Sequence, residues 1–227
     1  MDFSNIIRLI FETLGMTLIS TALAYLIGLP IGVLLNVSSK NGLRPNRALN
    51  LVLGIIVNIL RSIPCIIIVV ICMPVVRGIF GTGSGHWYTM LVPLFVASFG
   101  FVARMVEQSL SEVPQGEIEA VRSLGATDFQ IIYKVLIPEA RSSLLSGLAV
   151  VLVSILGYTS FAYNIGAGGL ISGIWEYYAR NTGSYLESPY FWVLIIVVVA
   201  LVQIIQELGL YLAKRVDKRR RVLEWKS

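Results

Sequence analysis

The chain has 227 residues, of which 56% are hydrophobic and 14% charged, with a formal net charge of +5. A soluble domain of this size is about 25% charged, so the composition excludes an ordinary water-soluble fold and indicates an all-α integral membrane protein. No basic face or aromatic-basic interleaving exists outside the connections, so the positive charge reads as a topology signal and nucleic acid is not an expected partner.

Crossing the hydrocarbon core as a helix takes about 20 apolar residues, and five stretches meet that need. Thr13 to Ser39 is uncharged and predicts a first span over 13–36, in which Gly28, Pro30 and Gly32 allow a bend. The run is too long for the apolar part of a cleavable signal and no small-residue cleavage site follows it, so no such signal is expected. A second span over 49–76 is interrupted only by Arg61. A charge at membrane depth is costly and usually pairs or faces an aqueous cavity. Arg61 equally reads as the cap of a helix kinked at Pro64, and the sequence leaves both readings open. Cys65 and Cys72 share a helix face about 10 Å apart along the axis. A disulfide reaches roughly 7 Å between Cα atoms, so they read as packing residues.

The third span, 87–110, contains Arg104 and Glu107 at i,i+3, a structural pair. His86 precedes it in a glycine-rich loop, where a lone histidine suggests neither a metal site nor a catalytic base. Ser142 to Trp175 is uncharged and holds a fourth span over 142–164. Within it Ser154, Tyr158 and Phe161 lie at i, i+4 and i+7. That face either packs against another helix or lines a translocation pathway. The fifth span, 189–212, opens with Tyr190, Phe191 and Trp192 as an interfacial belt.

Five spans put the termini on opposite sides. Lys40, Arg44, Arg47, Arg104, Arg122, Lys134, Arg141 and seven further Lys/Arg from Lys214 onward fall on one side, against Arg8, Arg77 and Arg180 on the other. The excess marks the cytoplasmic face, with the N-terminus outside and the C-terminus inside.

The connection over 111–141 is longer than a link requires and is organised. Pro114 suits a first helical turn, and Glu117 and Glu119 put negative charge near the positive helix end. Arg122 follows Glu119 at i,i+3, and Gly125 suits a left-handed stop. Thr127 with Gln130 reads as a capping box opening a second helix. Phe129, Ile132 and Tyr133 lie along one side of that helix, and Pro138 marks where the fourth span starts. By residue type alone, this helix–turn–helix is either an amphipathic surface element or a rigid docking element.

Glu119-Ala120-Val121, Gly125, Val135 and Ile137-Pro138 resemble the EAA signature of ABC importer permeases, E-A-A, three residues, G, nine residues, I-x-L-P. Val121, Val135 and Ile137 are the conservative departures. The resemblance implies that the first short helix docks on a separate ATP-hydrolysing subunit. Ala120 and Gly125 would permit close approach, Glu119 and Arg122 would give polar contacts, and Pro138 would close the element. Arg61-Ser62-Ile63-Pro64, Gly157-Tyr158-Thr159-Ser160 and Ile165-Gly166-Ala167-Gly168-Gly169-Leu170 look like the five-span permeases of methionine uptake systems, which have the type I importer fold.

That resemblance implies a homodimer in the bacterial cytoplasmic membrane, with its pathway on the two-fold axis. It also implies two ATP-binding cassette subunits at the cytoplasmic face and a substrate-binding protein outside. ATP and Mg would sit in the partner ATPase, with no cofactor, metal or catalytic residue in this chain. Consistently, no G-x-x-x-x-G-K-[ST], H-E-x-x-H or G-x-S-x-G is present. The cargo implied is methionine, L or D. Phe161, Tyr163 and Asn164 are bulkier than the family's small residues and Met, which leaves another small amino acid or a short peptide open. The competing class is a self-contained secondary transporter or channel. Such a protein would place ionisable residues or discontinuous helices at mid-membrane, whereas here the acids sit in connections and only Arg61 is internal.

Overall fold

The computed structural model describes residues 3–217. The basic residues from 218 onward, which weigh in the charge asymmetry, lie outside the described residues.

Helix α1, Phe3–Ser38, begins well before the uncharged run. Ile6 and Leu9 extend it because they are buried against Leu170 and Leu194. The hydroxyls of Thr13, Thr17 and Thr21 are buried and donate to the carbonyls one turn back, Leu9, Thr13 and Thr17, at 2.9, 2.8 and 2.6 Å. This satisfies them without water. Pro30 sits inside the continuous helix, and the neighbouring glycines serve packing rather than a break. A Cβ at Gly28 would lie 2.8 Å from the Phe99 carbonyl oxygen, and one at Gly32 would lie 2.5 Å from that of Ala103. The small surface lets α1 lie directly on α4, Leu91–Ser111, as small residues do at membrane helix interfaces. Leu94, Ser98, Val102, Val106 and Leu110 form the buried stripe of α4, spaced by four along its length.

The second expected span is not continuous. It is two helices, α2 Arg47–Ser62 and α3 Cys65–Phe80, bent by 102° at Ile63-Pro64. Pro64 supplies the physical reason: it lacks an amide donor and disfavours helix in the residue before it, and Ile63 is extended (φ −80°, ψ 122°). Each half has 16 residues, about 24 Å as helix, short of the ~30 Å core. Among the described residues four helices are long and apolar enough to cross a bilayer, with the bent pair counting as a fifth if taken as one span.

After α4 comes α5, Gln115–Ser123, then α6, Asp128–Ile131, and α7, Ile137–Tyr158. Pro138 does not separate the surface helix from the span. A π-helical turn over Ile132–Leu136 fuses α6 to α7, with the Ile137 amide donating to the Ile132 carbonyl. Proline would crowd the carbonyl four residues back and leave it without a donor, and the wider turn absorbs both defects. The fused element, Asp128–Ile165, has 38 residues, about 57 Å. That exceeds the ~30 Å hydrocarbon core, and the charges of the element are confined to its first part, Asp128 to Arg141. Helix α8, Leu170–Arg180, is short, and α9, Pro189–Val216, closes the bundle against α7. Gly209 permits that contact, since a Cβ there would sit 2.4 Å from Ala149 Cβ.

Candidate functional site

The segment from Pro114 to Leu136 is a helix–turn–helix as its residues predict. Val113 and Ile118 are buried in the main core cluster, which pins one face of α5 to the bundle. Glu119, Ala120, Arg122, Ser123 and Leu124 face outward. Gly125 has φ +84°. Its amide donates to the Arg122 carbonyl at 3.0 Å, and the Ala126 amide donates to that of Val121 at 3.4 Å. These paired bonds form a Schellman stop, which needs the left-handed residue that glycine supplies. Two residues on, the Thr127 amide donates to Gln130 Oε1 at 2.9 Å, while the Thr127 hydroxyl accepts from the Gln130 amide at 3.4 Å. Stop and start are thus fully hydrogen-bonded within a few residues, so α5 and α6 form one stiff unit.

Arg122 does not pair with Glu119. It donates to the Leu43 carbonyl at 2.8 Å and lies 3.4 Å from Asp128 Oδ1. Arg44 holds the other Asp128 oxygen. The Arg44 guanidinium hydrogen-bonded to Asp128, assisted by Arg122, holds that carboxyl below its ordinary range. The connection between α1 and α2 thereby braces α5 and α6. A recess of about 600 Å³ opens between them, lined by residues including Lys40, Ile118, Glu119 and Arg122. Beside it Leu124, Phe129 and Tyr133 are 86%, 76% and 66% exposed, and the Phe129 and Tyr133 rings stack with centroids 6.4 Å apart. Ile132, expected on the same side, turns partly into the core. Large apolar side chains exposed together in this way are characteristic of an interaction surface.

The break between α2 and α3 forms a second feature. Leu60, Arg61, Ile63, Cys65, Ala97, Phe101 and Tyr158 line a cavity of about 210 Å³, so two of the four expected pathway residues meet there. Ser154 and Phe161 do not line it. The Ser154 hydroxyl donates to the Val150 carbonyl at 2.8 Å. After Tyr158 the chain tightens to a 3-10 helix over Thr159–Ile165, which removes Phe161 from the α-helical register. Arg104 and Glu107 pair at 2.6 Å as expected, and Arg104 also donates to Asn58 Oδ1 at 2.8 Å. Cys65 and Cys72 are buried and not bonded to each other.

At the far end of the bundle, the glycine stretch before α8 turns through Gly166, Gly168 and Gly169, all at positive φ. Glu12 Oε2 accepts from the Gly169 amide and the Thr13 hydroxyl accepts from the Leu170 amide, both at 2.8 Å. Helix α8 is thus capped by two side chains of α1, a role carrying no local sequence signal. Arg44, Asp128 and Leu124 were also invisible as site residues, because their roles depend on segments distant in sequence or on a surface left bare.

The model of the family described as binding-protein-dependent transport system inner membrane component matches residues 28–218. A probable D-methionine transport system permease protein MetI of Vibrio cholerae is 39% identical over 209 residues, covering 92% of this chain and 91% of the relative. The D-methionine transport system permease protein MetI of Escherichia coli K12 is 44% identical over 155 residues, covering 68% and 71%. Among solved structures, an inward-facing MetNI methionine ABC transporter aligns with a TM-score of 0.87 at 38% identity, covering 94% of this chain and 97% of that one. The architecture is therefore that of a type I importer permease. By the extent of the family match and the coverage of these relatives, the chain belongs to the family of binding-protein-dependent transport system inner membrane components.

Proposed function

We propose that this chain is the membrane-spanning permease subunit of an ATP-driven methionine importer, acting as a homodimer. Two ATP-hydrolysing subunits hold ATP and Mg and dock on the face formed by α5 and α6. An extracytoplasmic binding protein delivers the cargo, L- or D-methionine, at the opposite face. The N-terminus is outside and the C-terminus cytoplasmic, in keeping with the Lys/Arg asymmetry. The observation that carries this reading is the α5–Gly125–α6 unit. It is stiff by its own hydrogen bonds and presents Glu119, Ala120, Arg122 and the bare Leu124 and Phe129 outward.

A rigid unit transmits closure of a partner as a rigid-body displacement, where a loose loop would absorb it. The π-helical fusion extends that unit without a hinge residue into α7. α7 ends at Tyr158, on the cavity that also contains Arg61. Motion at the docking face therefore has a continuous helical route to the membrane interior.

The discontinuity between α2 and α3 is a feature that a self-contained secondary transporter would also have. Copurification separates the two. The importer subunit leaves the membrane with a soluble nucleotide-binding partner, and its labelled-methionine uptake into proteoliposomes requires ATP and falls with excess unlabelled methionine. Uptake by the chain alone, driven by an ion gradient, would sink the importer reading. Methionine-insensitive uptake would reject the cargo alone.

A further inference from the structure

The arginines of this bundle are not treated alike. Arg104 has a carboxylate and an amide oxygen, Arg122 a carbonyl and a carboxylate, and Arg44 a carboxylate. Arg61 has no hydrogen bond or ion pair among the described residues, only the Phe101 ring, with its guanidinium carbon 6.0 Å from the ring centroid. Phe101 is the central residue of Leu91–Ser111, so Arg61, whose side chain is exposed on this chain, lies level with the middle of that helix, a position at which a charge normally pairs or faces an aqueous cavity. Close approach of the two helices sets the position of its stem. Gly100 lets α2 press on α4, since a Cβ would lie 3.2 Å from Leu60 Cβ and 3.7 Å from Arg61 Cγ.

We propose that the Arg61 cavity is the cargo's carboxylate site in the translocation pathway, an assignment that rests on the importer reading above. A forked guanidinium matches a carboxylate in a bidentate geometry, and the cargo anion supplies the counter-charge that the protein omits. The Phe101 and Tyr158 rings offer faces that attract an α-ammonium group, while Leu60, Ile63 and Ala97 receive an apolar side chain. The volume, about 210 Å³, falls below the roughly 300–1,000 Å³ of drug-sized pockets. It therefore suits one small amino acid. With one such contact and an open mouth, the site holds its cargo briefly, as a pathway requires. Arg61 is on this account a specificity-determining residue for zwitterionic amino acids.

The test uses the detergent-purified complex of this chain with its ATPase partner and without binding protein, so that only the permease selects. A diazirine analogue of methionine is photolysed at millimolar concentration, and labelled peptides of this chain are mapped. Labelling should fall on the peptides containing Phe101 or Tyr158. Methionine should displace it at least tenfold better than methioninamide, which lacks the carboxylate. Arg61→Met, which keeps the stem against Phe101, should lose labelling about tenfold, and Arg61→Lys should retain part of it. Equal competition by methioninamide on the unmodified complex, which requires no variant to fold, would overturn the site. So would undiminished labelling in Arg61→Met, or labelling confined elsewhere. Failure of the unmodified complex to take up methionine in vesicles would instead remove the importer reading, and this ligand with it.

Discussion

Helices α5 and α8 are both short, both lie at ends of the bundle, and both are tied to α1 or the connection that follows it. The ties differ in kind. At α8, the Glu12 carboxylate and the buried Thr13 hydroxyl bind backbone amides directly, and glycines permit the approach: a Cβ at Gly168 would sit 2.3 Å from Glu12 Oε2. At the α5–α6 unit, besides the buried Val113 and Ile118, the polar tie runs through Arg122 on α5 and through Arg44 on Asp128 of α6, and the two arginine side chains are 52% and 79% exposed. A hydrogen bond to a charged group shielded from water is worth about 1.5–3 kcal/mol, whereas an exposed ion pair is worth about 0–1 kcal/mol. The α8 end is thus clamped. The α5–α6 unit is stiff in itself and seated on Ile118, but its polar mount is soft, which suits an element that is pushed.

The comparison breaks most visibly at Gly168. Gly168→Val adds to a φ of +82° a clash that displaces Glu12 from the Gly169 amide, so thermal stability and transport should fall together. Glu12→Ala should lower the thermal midpoint in detergent by several degrees, because it leaves the α8 amide without its acceptor. A normal midpoint in both variants would show that the far end is not clamped.

Gly125→Val should act in the opposite manner. No atom lies within 4 Å of the added Cβ, so only the left-handed backbone penalty applies, roughly 1–2 kcal/mol. Folded yield should persist while transport falls at least tenfold, since the docking unit reopens at its turn. Glu119→Lys should reduce transport somewhat less, with a stability change of about 1 kcal/mol or below. Transport and ATP hydrolysis measured side by side in vesicles check both. Normal rates in the two variants would reduce the α5–α6 unit to a surface ornament.

The smallest effect is expected at the soft mount. The Asp128 carboxyl is held below its ordinary range, chiefly by the Arg44 hydrogen bond. Its contribution is therefore present above the unfolded carboxylate pKa and is lost as pH falls through the lowered folded value. Asp128→Asn should remove that acid dependence while leaving the thermal midpoint near neutral pH within a degree or two. A large destabilisation at pH 7 would mean that the α5 tie is as stiff as the α8 clamp.

What could be read without the fold was local. The Gly125 stop, the Thr127–Gln130 capping box and the Arg104–Glu107 pair each follow from residues three or four apart, where helix geometry leaves few alternatives. The apolar runs marked the membrane helices for the same reason, since backbone groups in lipid must be satisfied within the segment. Tertiary structure decided the rest. Arg122 took the Leu43 carbonyl rather than Glu119 because the α1–α2 connection lies against α5. The break at Pro64 became a 102° turn rather than a kink, and Pro138 was absorbed by a π turn because α6 continues into α7. Arg61 met Tyr158, and Glu12 met the α8 amides, across separations no periodicity encodes. Those partners are chosen by which helices pack together, and packing follows from the summed shape of whole faces, not from the spacing of any few residues.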